Sequence, residues 1–185
     1  MRHADELRRL LLQDAMRMEA LTTVAALGVE DCWLGAGLVR DAVWDHLHHL
    51  PPQLPAGDVD VVWFDARQSD EDVDNGMEQR LRVMSPRFDW SVKNQARMHG
   101  RNHDAAYHSV EDALRYWPET ATAVAVRLRD PEQIDIIAPF GLEDLFTLCL
   151  RPTPRFQYEK RHIFDERIRR KRWLARYPKL VLQAD

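Results

Sequence analysis

Gly35-Ala36-Gly37-Leu38-Val39-Arg40-Asp41, followed after a proline-rich interval by Asp58-Val59-Asp60-Val61-Val62, is the stretch that decides how this chain folds. Cys32-Trp33-Leu34 ahead of it is short, apolar and strand-like. Behind it, Leu38, Val39, Ala42, Val43 and Leu47 recur at helical spacing, so the glycine turn joins a strand to a helix. Glycine at 35 and 37 lets a backbone approach a phosphate closely, and amides at a helix start can donate to its oxygens. Pro51, Pro52, Pro55 and Gly57 then break the helix and deliver the chain to a strand from Val59 to Phe64. Alternate side chains of a strand share a face, so Asp58 and Asp60 point the same way and suit a divalent cation. Taken singly, such glycines more often mark a tight turn, and Asp-x-Asp a solvated pair. Their joint order points to nucleotide and metal chemistry.

Working outward, helical and strand periods alternate. Leu7, Leu11, Ala15, Met18, Thr22 and Ala25 predict a core-packing helix over 3–27, stopped at Gly28. Ser69 with Glu71 and Asp72 predicts a helix start, Met77, Leu81 and Met84 its apolar face, and Pro86 its end. Asp70, Glu71, Asp72 and Asp74 read as a solvated acidic face. A short strand is expected at Phe88 to Val92, and Ser109 with Asp112 forms a capping-box variant ahead of Ala113, Leu114 and Trp117. Thr122 to Leu128 and Ile134 to Ile137 flank Asp130-Pro131 as a hairpin. The pattern is an α/β (α+β) fold, a small mixed sheet flanked by helices, in one domain over 1–185 without internal repeats.

The 185 residues carry a formal charge of −4, unevenly spread. Between Arg155 and Lys179 there are ten Lys or Arg against Glu159, Asp165 and Glu166, a helical segment of net +7 that leaves about −11 elsewhere. Such a segment either attracts a phosphate-rich partner or is a solvated face whose Arg stems cover apolar surface. Cys32 and Cys149 lie among apolar residues without metal-like spacing and read as buried free thiols. His99, His103 and His108 straddle Gly100 without a fourth ligand and read as ordinary histidines rather than zinc ligands. The six tryptophans read first as core or interface aromatics. With no apolar run of membrane-spanning length and no secretory leader, the expectation is a cytoplasmic protein.

The turn and carboxylate pair together resemble the signature of the nucleotidyltransferase superfamily typified by DNA polymerase beta. The Gly-x-Val-Arg-Asp portion is similar to that of tRNA nucleotidyltransferases and bacterial poly(A) polymerases. Trp90-Ser-Val-Lys-Asn-Gln-Ala-Arg-Met-His99, Glu111-Asp-Ala-Leu114, Trp117-Pro-Glu-Thr-Ala-Thr-Ala-Val124 and Ala138-Pro-Phe-Gly-Leu142 narrow the resemblance. They are similar to small bacterial nucleotidyltransferase-like proteins, nucleotidyltransferase family 6, over roughly Trp33 to Leu180. Here the usual glycine pair is split by Ala36, and the interval to Asp58 is long. No tRNA- or poly(A)-specific region follows, so RNA tailing is not carried over.

The resemblance implies a nucleotidyltransferase fold that moves a nucleoside monophosphate from an NTP to a hydroxyl acceptor and releases pyrophosphate. It implies two Mg2+ ions held by Asp58 and Asp60, with a third carboxylate. Asp135, between Ile134 and Ile136 on a later strand, is the preferred third ligand and Asp89 its rival. Gly35, Ala36 and Gly37 would cradle the triphosphate. Arg40 either contacts phosphate or pairs with Asp41 or Asp45, while Lys93 and Arg97 belong to a donor-rich run suited to phosphate, base or acceptor. The acceptor, whether a small molecule, a protein or an RNA end, stays open, as does the oligomeric state. The alternative is a non-catalytic nucleotide-binding or protein-interaction module on the same fold.

Overall fold

These periodicities resolve, in the computed structural model, which describes residues 2–183, into ten helices and seven strands among those residues. The chain runs α1 (Arg2–Gln13), α2 (Ala15–Ala25), β1 (Cys32–Gly35), α3 (Gly37–Leu47), β2 (Val59–Trp63), α4 (Glu71–Met84), β3 (Trp90–Asn94) and α5 (Gln95–Asn102). It continues α6 (Val110–Leu114), β4 (Ala125–Asp130), β5 (Gln133–Ile137), α7 (Glu143–Phe146), β6 (Cys149–Leu150), α8 (Pro154–Gln157), α9 (Arg161–Lys171), α10 (Trp173–Arg176) and β7 (Val181–Leu182). Five strands pair in the order β3-β2-β1-β4-β5. Only β2 and β3 run parallel within that sheet, as the α4 crossover between them allows, so the sheet is mixed.

Register sorts the side chains onto two faces. Leu34 opposes Val61 and Val126, and these residues face the larger core with Trp44, Trp90 and Leu81. Trp33 opposes Val62, and together with Ala125 they face a smaller cluster closed by Val110 and Leu114 of α6. This second face is only partly roofed, and a cleft opens on it.

Several boundaries differ from the sequence expectation. The helix over 3–27 is two helices, because Asp14 leaves the helical region and caps α2, its carboxylate accepting from the amides of Met16 and Arg17 at 3.1 Å. Asp70, not Ser69, caps α4. The strand expected at Phe88–Val92 is Trp90–Asn94, and that expected from Thr122 starts at Ala125, since Glu119 to Val124 is a tight turn. Asp74 is fully buried rather than solvated, accepting from the Trp63 indole at 2.7 Å and the Asn94 amide at 3.1 Å and pairing with Arg97. The basic segment is three short helices, turned at Arg172 by a left-handed residue. Cys32 and Cys149 are buried and free. No helix among the described residues is long and apolar enough to cross a membrane.

Asp14 also pairs with the buried Arg17, whose Nε donates to the Leu38 carbonyl at 2.9 Å and whose Nη2 lies 3.6 Å from Asp45. Removing the Asp14 carboxylate leaves a buried guanidinium undercompensated and uncaps α2. Asp14→Ala is expected to cost about 3 kcal/mol and Asp14→Asn about half that, because Asn keeps the cap. Urea unfolding checks this as a lower midpoint at unchanged slope.

Candidate active site

Asp60 sits second in β2, and antiparallel pairing brings Gly35 of β1 opposite it. Asp58 precedes the strand by one residue and shares Asp60's face. The turn after β1 is therefore delivered to the carboxylates by strand register alone. A Cβ at position 35 would meet the Trp117 ring at 2.9 Å, so any side chain there would have to displace that ring. The unusual backbone falls on Ala36, at φ +47° and ψ −118°, a region that favours glycine. Its N–H donates to the Val124 carbonyl at 3.2 Å, and its carbonyl accepts from Arg40 at 2.9 Å to begin α3.

The carboxylates line two connected spaces. One, of about 100 Å³, is walled by Gly37, Arg40, Asp41, Arg167, Lys171, Trp173 and Arg176. The other, of about 410 Å³, is walled by Ser91, Lys93, Gln95, Met98, Trp117, Arg167 and Arg170. Arg40 donates to Asp41 at 2.7 Å and 2.9 Å, and its guanidinium lies over the rings of Trp173 (4.4 Å) and Trp44 (5.0 Å). It reaches the cleft already paired, with Asp41 and not Asp45 as partner. Lys93, 4.0 Å from Glu71, points to the larger space.

Two expected residues lie elsewhere. Arg97 is engaged by the buried Asp74 and lines neither space. Asp135 is held by Arg127 at 3.1 Å and Arg129 at 3.3 Å on β5. From β2 to β5 is three strand spacings, roughly 14 Å, whereas ligands of one Mg2+ each stand about 2.1 Å from it. The structure thus does not bring Asp135 to Asp58 and Asp60. Asp89 immediately precedes β3, exposed, beside Asp58 on the adjacent strand, and its carbonyl accepts from Val59 N–H at 2.7 Å.

Besides Arg40, the cations that line the cleft come from α9 and α10, which sequence reasoning left as a basic segment without individual roles. Arg167, Arg170 and Lys171 follow i, i+3, i+4 spacing and share one helical side. That spacing was the available signal. The fold carries them to the cleft by docking the segment on α3, where Trp173 and Tyr177 pack edge-on to Trp44 at 5.8 Å and 5.3 Å and the Tyr177 hydroxyl donates to Asp45 at 2.8 Å.

Burial first, and the Asp58 charge second, push the Asp60 carboxyl up to about 6, against the opposing pull of Arg167, Arg40 and Lys171. Lys171 is shifted down by burial and by Arg167 and Arg40. Among the described residues no three His, Cys, Asp or Glu side chains gather to hold a metal unaided. Two carboxylates suffer from each other's charge here, and that donor set fits Mg2+, which is commonly held by one or two carboxylates with substrate phosphates and water completing its shell.

Between the ordinary carboxylate range and about pH 6 the folded protein holds more protons at Asp60 than the unfolded chain, so stability falls as pH rises through that window. Asp60→Asn is accordingly expected to be more stable than the parent in EDTA at pH 7. Allowing for solvent in the cleft, the gain is about 1–2 kcal/mol, or roughly 2–8 °C in Tm. The gain should vanish by about pH 4, and added Mg2+ should raise the parent's Tm but not the variant's; calorimetry across pH checks both.

A family model described as nucleotidyltransferase matches residues 22–182. Among proteins of curated function none matches this chain. A solved structure described as revealing a CCA-adding enzyme head domain is 32% identical, with a TM-score of 0.86, over 98% of this chain and 96% of that one. Two structures of a tRNA-processing enzyme, one in an apo form and one a complex, align at TM-scores of 0.54 and 0.51 and 17% identity. This chain spans 42% of their length, and at that identity the likeness is one of fold. The mixed five-stranded sheet flanked by helices matches that head domain in fold, and the chain belongs to the nucleotidyltransferase family.

Proposed function

We propose that the protein transfers a nucleoside monophosphate from an NTP to a hydroxyl acceptor, in a Mg2+-dependent reaction that releases pyrophosphate. The observation that carries this reading is the meeting, in one cleft, of Asp58 and Asp60 with the Ala36-Gly37 turn and with cations from α3 and α9. In such a transfer the acceptor oxygen bonds to the α-phosphorus and the bond to the β-phosphate oxygen breaks. Negative charge grows on both sides of the phosphorus and must be met by fixed positive groups.

Asp58 and Asp60 would hold the Mg2+ ions, which when bound neutralise the triphosphate and favour the hydroxyl's ionisation. For a third carboxylate, the adjacent-strand position beside Asp58 supports Asp89 over Asp135, which two arginines already occupy. The Ala36 amide is taken by the Val124 carbonyl, so the amide of Gly37, which opens α3 and lines the space with Arg40 and Lys171, is the one suited to a phosphate oxygen. The larger space offers Lys93, Gln95 and Ser91 as donors beside the Trp117 and Met98 surfaces, a combination suited to a base or an acceptor with an apolar face.

Purified protein is to be incubated with each NTP and Mg2+ in a cell metabolite and RNA extract and followed by mass spectrometry, with the Asp58→Asn, Asp60→Asn double variant as control. New nucleotidyl adducts and pyrophosphate are expected for the parent and absent from the control. Bound NTP without any adduct, across metals and acceptors, would favour the binding-module reading instead.

A further inference from the structure

Within Trp117-Pro-Glu-Thr-Ala-Thr-Ala-Val124, Glu119 has no part in the transfer as described above, yet it is a carboxylate of zero exposure. Its two oxygens are spoken for. Oε2 accepts from the Thr122 hydroxyl at 2.6 Å, and Oε1 accepts from the Arg167 Nε at 2.6 Å. Arg167 is therefore gripped by its Nε, and among the described residues its Nη groups, the guanidinium fork, donate to no other hydrogen bond. The same guanidinium lies over the Trp173 ring at 5.3 Å and lines both spaces beside Asp58 and Asp60. A buried carboxylate with nothing to gain from solvent has been spent on orienting one cleft arginine.

We infer that Arg167 is a catalytic residue that contacts the polyphosphate of the substrate through its Nη groups, and that Glu119 is a positioning residue which aims it. The inference rests on the reading of the cleft as a triphosphate site. The guanidinium fork matches two phosphate oxygens at once, and a side chain already fixed by Glu119 and Trp173 loses little freedom on binding. Lys171, four residues on, has no ion-pair partner within 4.0 Å among the described residues and adds a second positive charge on the same side. Arg40 lines the smaller space with them, so an anion there meets cations from both α3 and α9.

The test is calorimetric binding of inorganic tripolyphosphate, with Mg2+ present, to the parent, Arg167→Gln, Arg167→Lys, Glu119→Gln and the Arg167→Gln, Glu119→Gln double variant. Loss of a charge-assisted contact predicts about 10- to 100-fold weaker binding for Arg167→Gln. Arg167→Lys should recover part of it. Glu119→Gln should weaken binding by a smaller factor in the parent and by none in the Arg167→Gln background, because its effect travels through Arg167. The double variant replaces the buried ion pair by two neutral amides, which guards against a reading of simple misfolding, and thermal melts accompany each protein. Equal affinity of the parent and Arg167→Gln, or no binding by the parent at millimolar ligand, overturns the contact. A Glu119→Gln effect that persists undiminished without Arg167 overturns the positioning role. If tripolyphosphate binding follows the expected pattern while no adduct forms in the transfer assay, the transfer reading falls and this inference stands.

Discussion

Two carboxylates two residues apart on one strand face repel each other, and much of the molecule is arranged around that repulsion. The effect is visible at Asp60, whose proton is retained to about pH 6 by burial and by Asp58. Arg167, Arg40 and Lys171 offset part of that cost. Those cations are more than a hundred residues downstream in two cases out of three. The sheet can present the pair, but the C-terminal segment has to come back across α3 to make the site electrostatically acceptable.

That return depends on one side of α3. Trp44 is fully buried and receives Trp173 and Tyr177 edge-on, while Asp45 accepts from the Tyr177 hydroxyl and lies 3.5 Å from Arg176 and 3.6 Å from Arg17. Arg17 in turn belongs to α2 and is bound at its other end by Asp14. A polar chain thus runs from the break between α1 and α2, under α3, to the C-terminal helices. Burial, helped by the Asp41 charge, raises the Asp45 carboxyl, and Tyr177, Arg176 and Arg17 offset only part of that cost.

The glycine turn, the carboxylate strand, the α4 crossover and the β4–β5 hairpin were legible because each rests on a local rule: alternation, helical period or turn chemistry. The resemblance carried by the quoted motifs gave the family. What escaped was long-range. Arg97 looks like a donor in a polar run, and nothing nearby in sequence says that Asp74, which reads as part of an acidic surface, is buried and engages it. Asp135 has the apolar flanks of a strand ligand, and only the strand order reveals that three spacings separate it from β2. Asp14 interrupts an otherwise continuous helical period because its side chain satisfies two amides, a local signal that the apolar spacing masks. Arg167 and Lys171 stood in plain view as part of a charge run, whose face could not be chosen before the segment's docking on Trp44 was known.

The Trp117–Val124 turn joins these threads. Trp117 packs on Gly35 so closely that a side chain there would displace its ring, and Val124 holds the Ala36 amide, so the turn before α3 is pinned from the loop side. A residue such as Ala36, with positive φ, survives only where its surroundings over-determine it, and here one loop supplies both constraints. Those two anchors lie two and five positions from Glu119, which fixes Arg167 in the same cleft. A single rigid loop therefore sets the distance between the turn's amides and the arginine fork. A distortion within that loop would move the turn and the arginine relative to each other, whereas a shift in β2 would move the carboxylates relative to both. The site's geometry is thus divided between sheet register, which places the negative groups, and one buried loop, which spaces the positive ones.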